Sequence, residues 1–284
     1  MEFEFYYYLI FLLTGLVAGF IDAIAGGGGI ITIPVLLASG MPPHIALATN
    51  KLQGTFGSGM ASINFIRKGF IKWSEVYLGV IYTFIGAALG TYAILLMDAS
   101  ILSKIIPLMV VGIFIYTLLS PKMGENDRHA YLSTHLFFFI FGLGIGFYDG
   151  FFGPGTGTFW TIALVTLLGL NLKKATAQTK VMNFTSNIVS LAVFLWSGNV
   201  LFVVGLLMGF GQLIGAYMGS NMVILNIIWI LLILRLLQLL IVQTCLCFLF
   251  WLIIRFAMTI IEMRNGSLLN HGLVILIICV LLII

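Results

Sequence analysis

The sequence predicts an all-α polytopic membrane protein with about nine or ten transmembrane or half-membrane helices. Composition is the first observation behind this prediction, because 61% of the 284 residues are hydrophobic and 8% are charged. Soluble domains contain roughly 45–50% apolar and about 25% charged residues. The second observation is a succession of apolar segments bounded by Gly, Pro, Asn or charged residues. The third is an internal repeat, which predicts two inverted halves of about five helices each.

The apolar segments define the predicted helices in chain order. The first half of the chain contains segments at about 5–25, 30–40, 45–66, 74–97 and 104–120. Polar residues 121–134 predict a cytoplasmic linker between a first transmembrane repeat at 1–120 and a second at 135–222. The second repeat contains segments at about 135–152, 157–169, 175–196 and 200–222. Residues 223–284 form a divergent apolar tail that contains all three cysteines.

Matching motifs in the two halves establish the repeat. GFIDAIAGGGG resembles GFYDGFFGPGT, which aligns Asp22 with Asp149. ALATNKLQ resembles ATAQTKVM, which aligns Lys51 with Lys180. GAALG and GAYMG continue the same order further along each half. Composition alone does not explain a shared order of motifs, so the two halves are predicted to have the same arrangement of helices.

The basic residues predict how the chain is oriented in the membrane. Cytoplasmic loops carry an excess of Lys and Arg. The loop with Arg67, Lys68 and Lys72 and the loop with Lys173 and Lys174 are therefore placed inside. Each corresponds to a loop without basic residues in the other half, so matching loops lie on opposite sides. The pattern predicts inverted halves in a multi-pass membrane protein with the N-terminus outside.

Two apolar segments, at 30–40 and 156–169, are too short to cross a bilayer. At 1.5 Å per residue, a helix of this length reaches about 16 Å, roughly half of the hydrocarbon thickness. The segments follow or begin within two glycine tracts, Gly26–Gly29 and Gly153–Gly157. A helix broken at glycines presents backbone N–H groups at its new start, where an anion can bind. Close helix packing through small residues is the alternative interpretation.

Two aspartates and two lysines lie within apolar spans or at their edges. A charge at the membrane centre costs about 2.5–3.5 kcal/mol, so it usually pairs, lines a wet cavity or binds a charged ligand. For Asp22 and Asp149, structural pairing with a lysine and proton transfer both stay open. For Lys51 and Lys180, the polar residues around them favour anion binding. Further polar residues on the same spans either add to a site or join helices: Asn64, Ser186 and Asn187.

The predicted substrate-binding residues combine the glycine tracts with the polar surroundings of the lysines. They are Gly26, Gly27, Gly28, Gly29, Asn50, Lys51, Gln53, Gly153, Gly155, Thr156, Gly157, Gln178, Thr179 and Lys180. Asp22 and Asp149 are the candidates for proton coupling.

Other classes of function find no support in the sequence. No Ser–His–Asp or HExxH arrangement and no CxxC pair is present, so no catalytic residue, metal site or cofactor is predicted and an enzyme is not expected. The basic residues form no patch for nucleic acid. The expected partners are the lipid bilayer and a small anionic substrate, and formation of a homo-oligomer is left open.

The stretch GFIDAIAGGGGIITIPVLLASGMPPHIALATNKLQ resembles the TauE/SafE family of sulfite exporters and related membrane permeases. The second motif, GFYDGFFGPGTGTFW followed by AQTKVMNFTSN, agrees with this resemblance. The resemblance implies an integral inner-membrane protein of bacterial type that moves small anions, such as sulfite or sulfoacetate. The family would close with one ordinary span after Met222, so the longer apolar tail here suggests a divergent terminus or a change of reading frame.

These observations together predict a secondary transporter of small anions, such as sulfite, organosulfur or carboxylate anions. It would work by alternating access between the inverted repeats. An anion channel is one alternative, because a channel needs no coupling carboxylate. A membrane protein with a structural or assembly role is the other.

Overall fold

The computed structural model describes residues 3–119 and 129–225. Within these ranges the chain forms helices and no strand, which confirms the predicted all-α class. The helices are α1 (Phe5–Ala25), α2 (Gly28–Ala38), α3 (Pro43–Arg67), α4 (Trp73–Leu95), α5 (Ala99–Leu119), α6 (Thr134–Phe151), α7 (Thr156–Leu167), α8 (Leu172–Trp196) and α9 (Phe202–Leu225). Most of the predicted tail and most of the predicted linker lie outside the described residues.

Two helices differ in detail from the sequence prediction. α5 begins at Ala99, earlier than the predicted start at 104, because the exposed Lys104 does not interrupt it. The N–H of Leu102 donates to the carbonyl of Asp98 over 3.1 Å, which closes the first turn. α6 contains a π-helical turn at Phe138–Gly142, a local widening of the helix that the hydrophobic pattern does not reveal.

Eight of the nine helices in the described part of the chain fall into three groups by length and polarity. Four helices are long and apolar enough to cross a membrane: α1, α4, α6 and α9. α3 and α8 have 25 residues each and could cross by length, but many of their side chains are polar and buried. α2 has 11 residues and α7 has 12, so they reach about 16–18 Å, half of the hydrocarbon layer. The two short segments predicted from the sequence are therefore short helices.

The four long apolar helices pack in two pairs through glycines. α1 packs against α9, and α4 packs against α6. A Cβ atom at Gly19 would lie 2.6 Å from the carbonyl oxygen of Gln212, and one at Gly146 would lie 2.9 Å from Cα of Thr83. Only glycine allows backbones to approach so closely. Gly19 and Gly146 are aligned in the repeat, so α1 and its counterpart α6 each pack against a helix of the other half.

Apolar side chains lie on the outside of the molecule and polar side chains lie inside, as in a membrane protein. Leu13 on α1, Phe84 on α4 and Phe210 on α9 are 52%, 55% and 59% exposed. Large apolar side chains on the outer faces of several helices form a surface suited to lipid. α3 and α8 pack against each other in the interior, α3 also contacts α9, and α8 also contacts α4. This arrangement buries Lys51 and Lys180, together with the polar residues next to them on α3 and α8, at the centre of the helices and away from lipid.

Candidate functional site

Both predicted glycine tracts interrupt a helix. α1 ends at Ala25 and α2 begins at Gly28, with φ of +75° at Gly26 and +118° at Gly27. α6 ends at Phe151 and α7 begins at Thr156, with φ of +101° at Gly153 and +79° at Gly155. Residues other than glycine are strained at such positive φ values, because they carry a Cβ atom. Glycine is therefore required for each helix to stop and restart.

The two breaks also touch each other. A Cβ atom at Gly26 would lie 2.5 Å from Cα of Gly157, and one at Gly157 would lie 2.6 Å from Cα of Gly26. Gly29 similarly faces Pro154, whose Cα would lie 3.2 Å from an added Cβ. The sequence offered helix interruption and close packing as alternatives for these glycines. The structure combines them, because the interrupted backbones cross in contact.

Lys51 on α3 forms a buried ion pair with Asp149 on α6. Nζ of Lys51 lies 2.6 Å from Oδ1 of Asp149 and also donates to the carbonyl oxygen of Asp149. The second carboxylate oxygen accepts a hydrogen bond from Oγ of Ser186. The two charged side chains are only 2% and 5% exposed. Burial of a charge without a partner is costly, so each of these two groups stabilises the other.

Lys180 on α8 forms the corresponding pair with Asp22 on α1. Nζ of Lys180 lies 3.4 Å from Oδ2 of Asp22 and donates to the carbonyl oxygen of Asp22. Oδ1 of Asp22 accepts from the backbone N–H of Gly27 over 3.0 Å and from that of Gly28 over 3.2 Å. Asp22 is 18% exposed, more than Asp149. Its carboxylate thus occupies the positive end of the α2 helix.

Each of the two ion pairs joins one half of the chain to the other. Each lysine binds the aspartate of the opposite half, so neither lysine contributes an unbalanced charge in this conformation. The geometry is the one expected of structural Asp–Lys pairs. It also places one carboxylate, that of Asp22, on N–H groups of the glycine tract that were predicted to bind a ligand.

A cavity of about 40 Å³ lies between the breaks. Many of the predicted site residues line it: Asp22, Gly27, Gly28, Gly29, Asn50, Gln53, Asp149, Gly153, Gly155, Thr156 and Gly157. Side-chain hydrogen bonds fix the amides on α3, because Asn50 Oδ1 accepts from Thr32 over 2.5 Å and from Gln53 over 2.7 Å. Gln53 in turn accepts from Gln212 on α9.

The remaining predicted residues lie next to the cavity or further away. Gly26 is at the crossing, and Lys51 and Lys180 are held by the aspartates. Thr179 Oγ1 lies 3.2 Å from Oγ1 of Thr161. Gln178 is directed toward α4, where its Nε2 lies 3.4 Å from a carboxylate oxygen of Glu75.

Four lining residues were not among the predicted substrate-binding residues, although Asn187 had been named as one that either adds to a site or joins helices: Gly54, Asn183, Asn187 and Gln212. A sequence signal exists for two of them, because Lys180, Asn183 and Asn187 are spaced by three and four residues and share one face of α8. Gln212 could have been noticed as an amide inside an otherwise apolar span. By contrast, Asn64 joins helices, since it donates to Ser220 over 2.7 Å.

Known proteins resemble this chain along most of its length. The family model for the sulfite exporter TauE/SafE matches residues 11–241. A probable membrane transporter protein of Haemophilus influenzae is 50% identical over 214 residues, which are 75% of this chain and 84% of the relative. The probable membrane transporter protein YfcA of Escherichia coli K12 is 46% identical over 215 residues, 76% of this chain and 80% of its own. The probable membrane transporter protein ORF9 of a Sinorhizobium species is 45% identical over 217 residues, 76% of this chain and 83% of its own.

No solved structure matches this chain. The family match extends over both glycine breaks and both ion pairs, and the relatives named above are all described as membrane transporters. The chain therefore belongs to the sulfite exporter TauE/SafE family of membrane transporters.

Proposed function

We propose that this chain is a secondary transporter of small anions, such as sulfite or small organosulfur and carboxylate anions. The central cavity carries the proposal, because it lies where two interrupted helices meet and is lined by the starts of α2 and α7. Membership of a transporter family supports movement of a substrate, and the family's description supports sulfite among the anions. The basic loops support an orientation with the N-terminus outside, and similarity to bacterial membrane transporters supports a location in the inner membrane.

The size and the hydrogen-bond donors of the cavity suit a small oxyanion. A volume of about 40 Å³ accommodates roughly three or four groups the size of a water molecule. Sulfite, with one sulfur and three oxygen atoms, has that size. Helix starts favour negative charge through their N–H groups and dipole. The carboxamides of Asn50, Gln53 and Asn187 add polar groups around the same space.

Asp22 is the better of the two candidates for proton coupling. It is more exposed than Asp149, lines the cavity and binds the N–H groups of Gly27 and Gly28. Protonation would remove the negative charge from these N–H groups, and a substrate anion could then replace the carboxylate. Proton and anion would thereby enter the site together. Asp149 suits this role less, since Lys51 and Ser186 both hold its carboxylate.

Alternating access would change the two ion pairs, because each pair joins the two halves. Lys51 and Asp149 belong to different halves of the repeat, as do Lys180 and Asp22. Movement of one half against the other would change both ion pairs and the crossing of the two glycine breaks. Exposure of the cavity to one side and then to the other would follow.

Transport by the purified chain in liposomes tests the proposal. Sulfite, thiosulfate, sulfoacetate and small carboxylates should be offered separately, and at least one should show saturable uptake that a proton gradient drives. Protein-free liposomes supply the control. Flux that is passive and does not saturate would instead indicate an anion channel. No binding or transport of any of these anions would overturn the proposal and favour a structural or assembly role.

A further inference from the structure

Trp160 carries a hydrogen-bond donor that is unpaired in this conformation. Its side chain lies on α7 and is fully buried, and no described residue accepts a hydrogen bond from its Nε1. Phe137 and Phe138 of α6 are aromatic neighbours, with ring centroids 6.4 and 6.3 Å from that of Trp160. Aromatic rings are weak acceptors. A buried donor without a partner destabilises the conformation that buries it.

Trp160 belongs to a large apolar cluster, here named the inner cluster. The inner cluster is the group of buried apolar residues that contains Trp160 and, among others, Ala23, Phe65, Ile71, Phe138 and Ala177. One edge of it adjoins the candidate site, because Ala23 directly follows Asp22 in α1. Another edge adjoins a basic loop, because Ile71 directly precedes Lys72. The inner cluster therefore lies between the cavity and the end of the molecule that carries the basic loops.

The π-helical turn of α6 gives this helix a point of bending next to Trp160. Phe138 begins the turn, which ends at Gly142, and helices bend readily at π turns. Gly142 touches α4, since a Cβ atom built on it would lie 2.6 Å from Cβ of Tyr82. The first residues of α6, which include Phe137, can therefore turn about a point held against α4 and move away from Trp160.

A second apolar cluster closes the opposite end of the cavity and has no such donor. This outer cluster consists of Phe11, Leu36, Met41, Ala46, Val204 and Met208. Along α3, Ala46 precedes the lining residue Asn50 and Phe65 of the inner cluster follows it, so the two clusters lie on opposite sides of the cavity. No side chain of the outer cluster has an N–H or O–H group. Among the described residues, an unpaired buried donor is thus a property of the inner cluster.

We propose that Phe137, Phe138 and Trp160 form the gate between the cavity and the basic end, and that the unpaired N–H of Trp160 weakens the closed gate. Opening turns the start of α6 about its π turn and moves both phenylalanines away from Trp160. Water then reaches the indole N–H, which gains the hydrogen bond that it lacks in the closed gate. The equilibrium between the closed and the open gate is thereby shifted toward opening. This inference rests on the alternating access of the proposed function.

The rate at which a cysteine inside the inner cluster is labelled measures opening of the gate. Ala177 is fully buried in this cluster, so a small hydrophilic thiol reagent reaches an Ala177→Cys variant only when the cluster opens. The full chain, with its three cysteines replaced by serine, is labelled in open membrane fragments. Trp160 is then replaced by benzothienylalanine, which keeps the bicyclic ring and has sulfur in place of the N–H. We expect labelling to become about tenfold slower, because the closed gate no longer contains an unpaired donor.

Phe137→Leu is the matched control, because it removes a ring from the same cluster and leaves the indole N–H in place. Labelling of this variant should be at least as fast as that of the unaltered chain. Thermal unfolding checks that each protein is folded. Labelling of the folded benzothienylalanine protein at the unaltered rate would overturn the inference, and so would equal slowing by Phe137→Leu.

Two further outcomes separate the inference from the proposed function. If Ala177→Cys is never labelled while Trp160 is intact, the inner cluster does not open and the inference fails. If the tenfold difference in labelling is found but the unaltered chain transports no anion, the proposed function fails and the gate remains.

Discussion

The two central lysines illustrate how much a single residue's role depends on its partner. Sequence context favoured Lys51 and Lys180 as anion ligands, because polar residues surround them on α3 and α8. In the structure both ammonium groups face aspartates of the opposite half. A fully buried cation in an apolar setting needs a counter-charge, so the primary contribution of each lysine in this conformation is to neutralise a carboxylate.

Removal of Lys51 should destabilise the protein more than removal of Lys180. Lys51→Met leaves the 5% exposed carboxylate of Asp149 without its cation, at a cost of about 3–5 kcal/mol. Lys180→Met should cost less, because Asp22 is more exposed and keeps its bonds to Gly27 and Gly28. Thermal unfolding of the detergent-solubilised proteins measures the order. Addition of Asp149→Asn to Lys51→Met should recover most of the loss, and failure to recover would contradict the pairing argument.

Substitution of Asp22 by asparagine should abolish coupling to protons and leave anion binding in place. The carboxamide oxygen of the Asp22→Asn variant could still accept N–H bonds at the start of α2, but the new side chain carries no titratable proton. In liposomes the Asp22→Asn protein should exchange labelled for unlabelled anion while proton-driven accumulation falls to the level of protein-free vesicles. Full accumulation by this variant would show that Asp22 does not couple transport to protons. The unaltered chain, assayed with the gradient collapsed by an ionophore, is the control.

At the scale of the elements, glycine determines where helices stop and how closely they pack. α2 and α7 are short because Gly26–Gly27 and Gly153–Gly155 take backbone conformations that other residues avoid. The same lack of a Cβ lets α1 approach α9 and lets α6 approach α4. A high glycine content, unusual for helices, is thus compatible with a membrane protein when the glycines lie at breaks and interfaces.

A methyl group at the crossing of the breaks should be poorly tolerated. Gly157→Ala puts a Cβ 2.6 Å from Cα of Gly26, and backbone cannot yield as a flexible side chain can. A loss of about 1–3 kcal/mol is expected from such overpacking, together with loss of transport. Gly144→Ala is the matched control, since its Cβ would meet no atom within 4 Å. That variant should be unchanged within about 0.5 kcal/mol, and equal thermal stability of the two variants would contradict the crossing.

At the scale of the whole molecule, the helices of one half complete the packing of the other. α1 contacts α9 and α6 contacts α4, while the central helices α3 and α8 contact each other. The two ion pairs likewise join a lysine of one half to an aspartate of the other. The repeat of two halves stays a prediction from the aligned motifs, and their opposite orientation in the membrane stays a prediction from the basic loops.

Cysteine labelling tests that orientation at two aligned positions. Lys68 and Ser197 follow directly after α3 and α8 and are both exposed. In a chain whose three cysteines are replaced by serine, Ser197→Cys should react with a membrane-impermeant maleimide on intact cells and Lys68→Cys should not. Lysed cells should label both positions, which controls for accessibility. Labelling of both positions from outside, or of Lys68→Cys alone, would contradict the inverted arrangement.

The sequence alone determined the class of the protein, most helix boundaries and many of the cavity-lining residues. These features depend on local properties: apolar length, glycine at positive φ and charges that are unfavourable in lipid. Tertiary structure decided which aspartate each lysine binds, that Asp22 occupies the start of α2, and that Asn183, Asn187 and Gln212 face the cavity. Such partners come from helices far apart in the chain. The spacing of residues along one helix shows which of them share a face, but it does not specify which other helix packs against that face. Packing of the two halves makes that choice, because each buried polar group must find its partner across the interface.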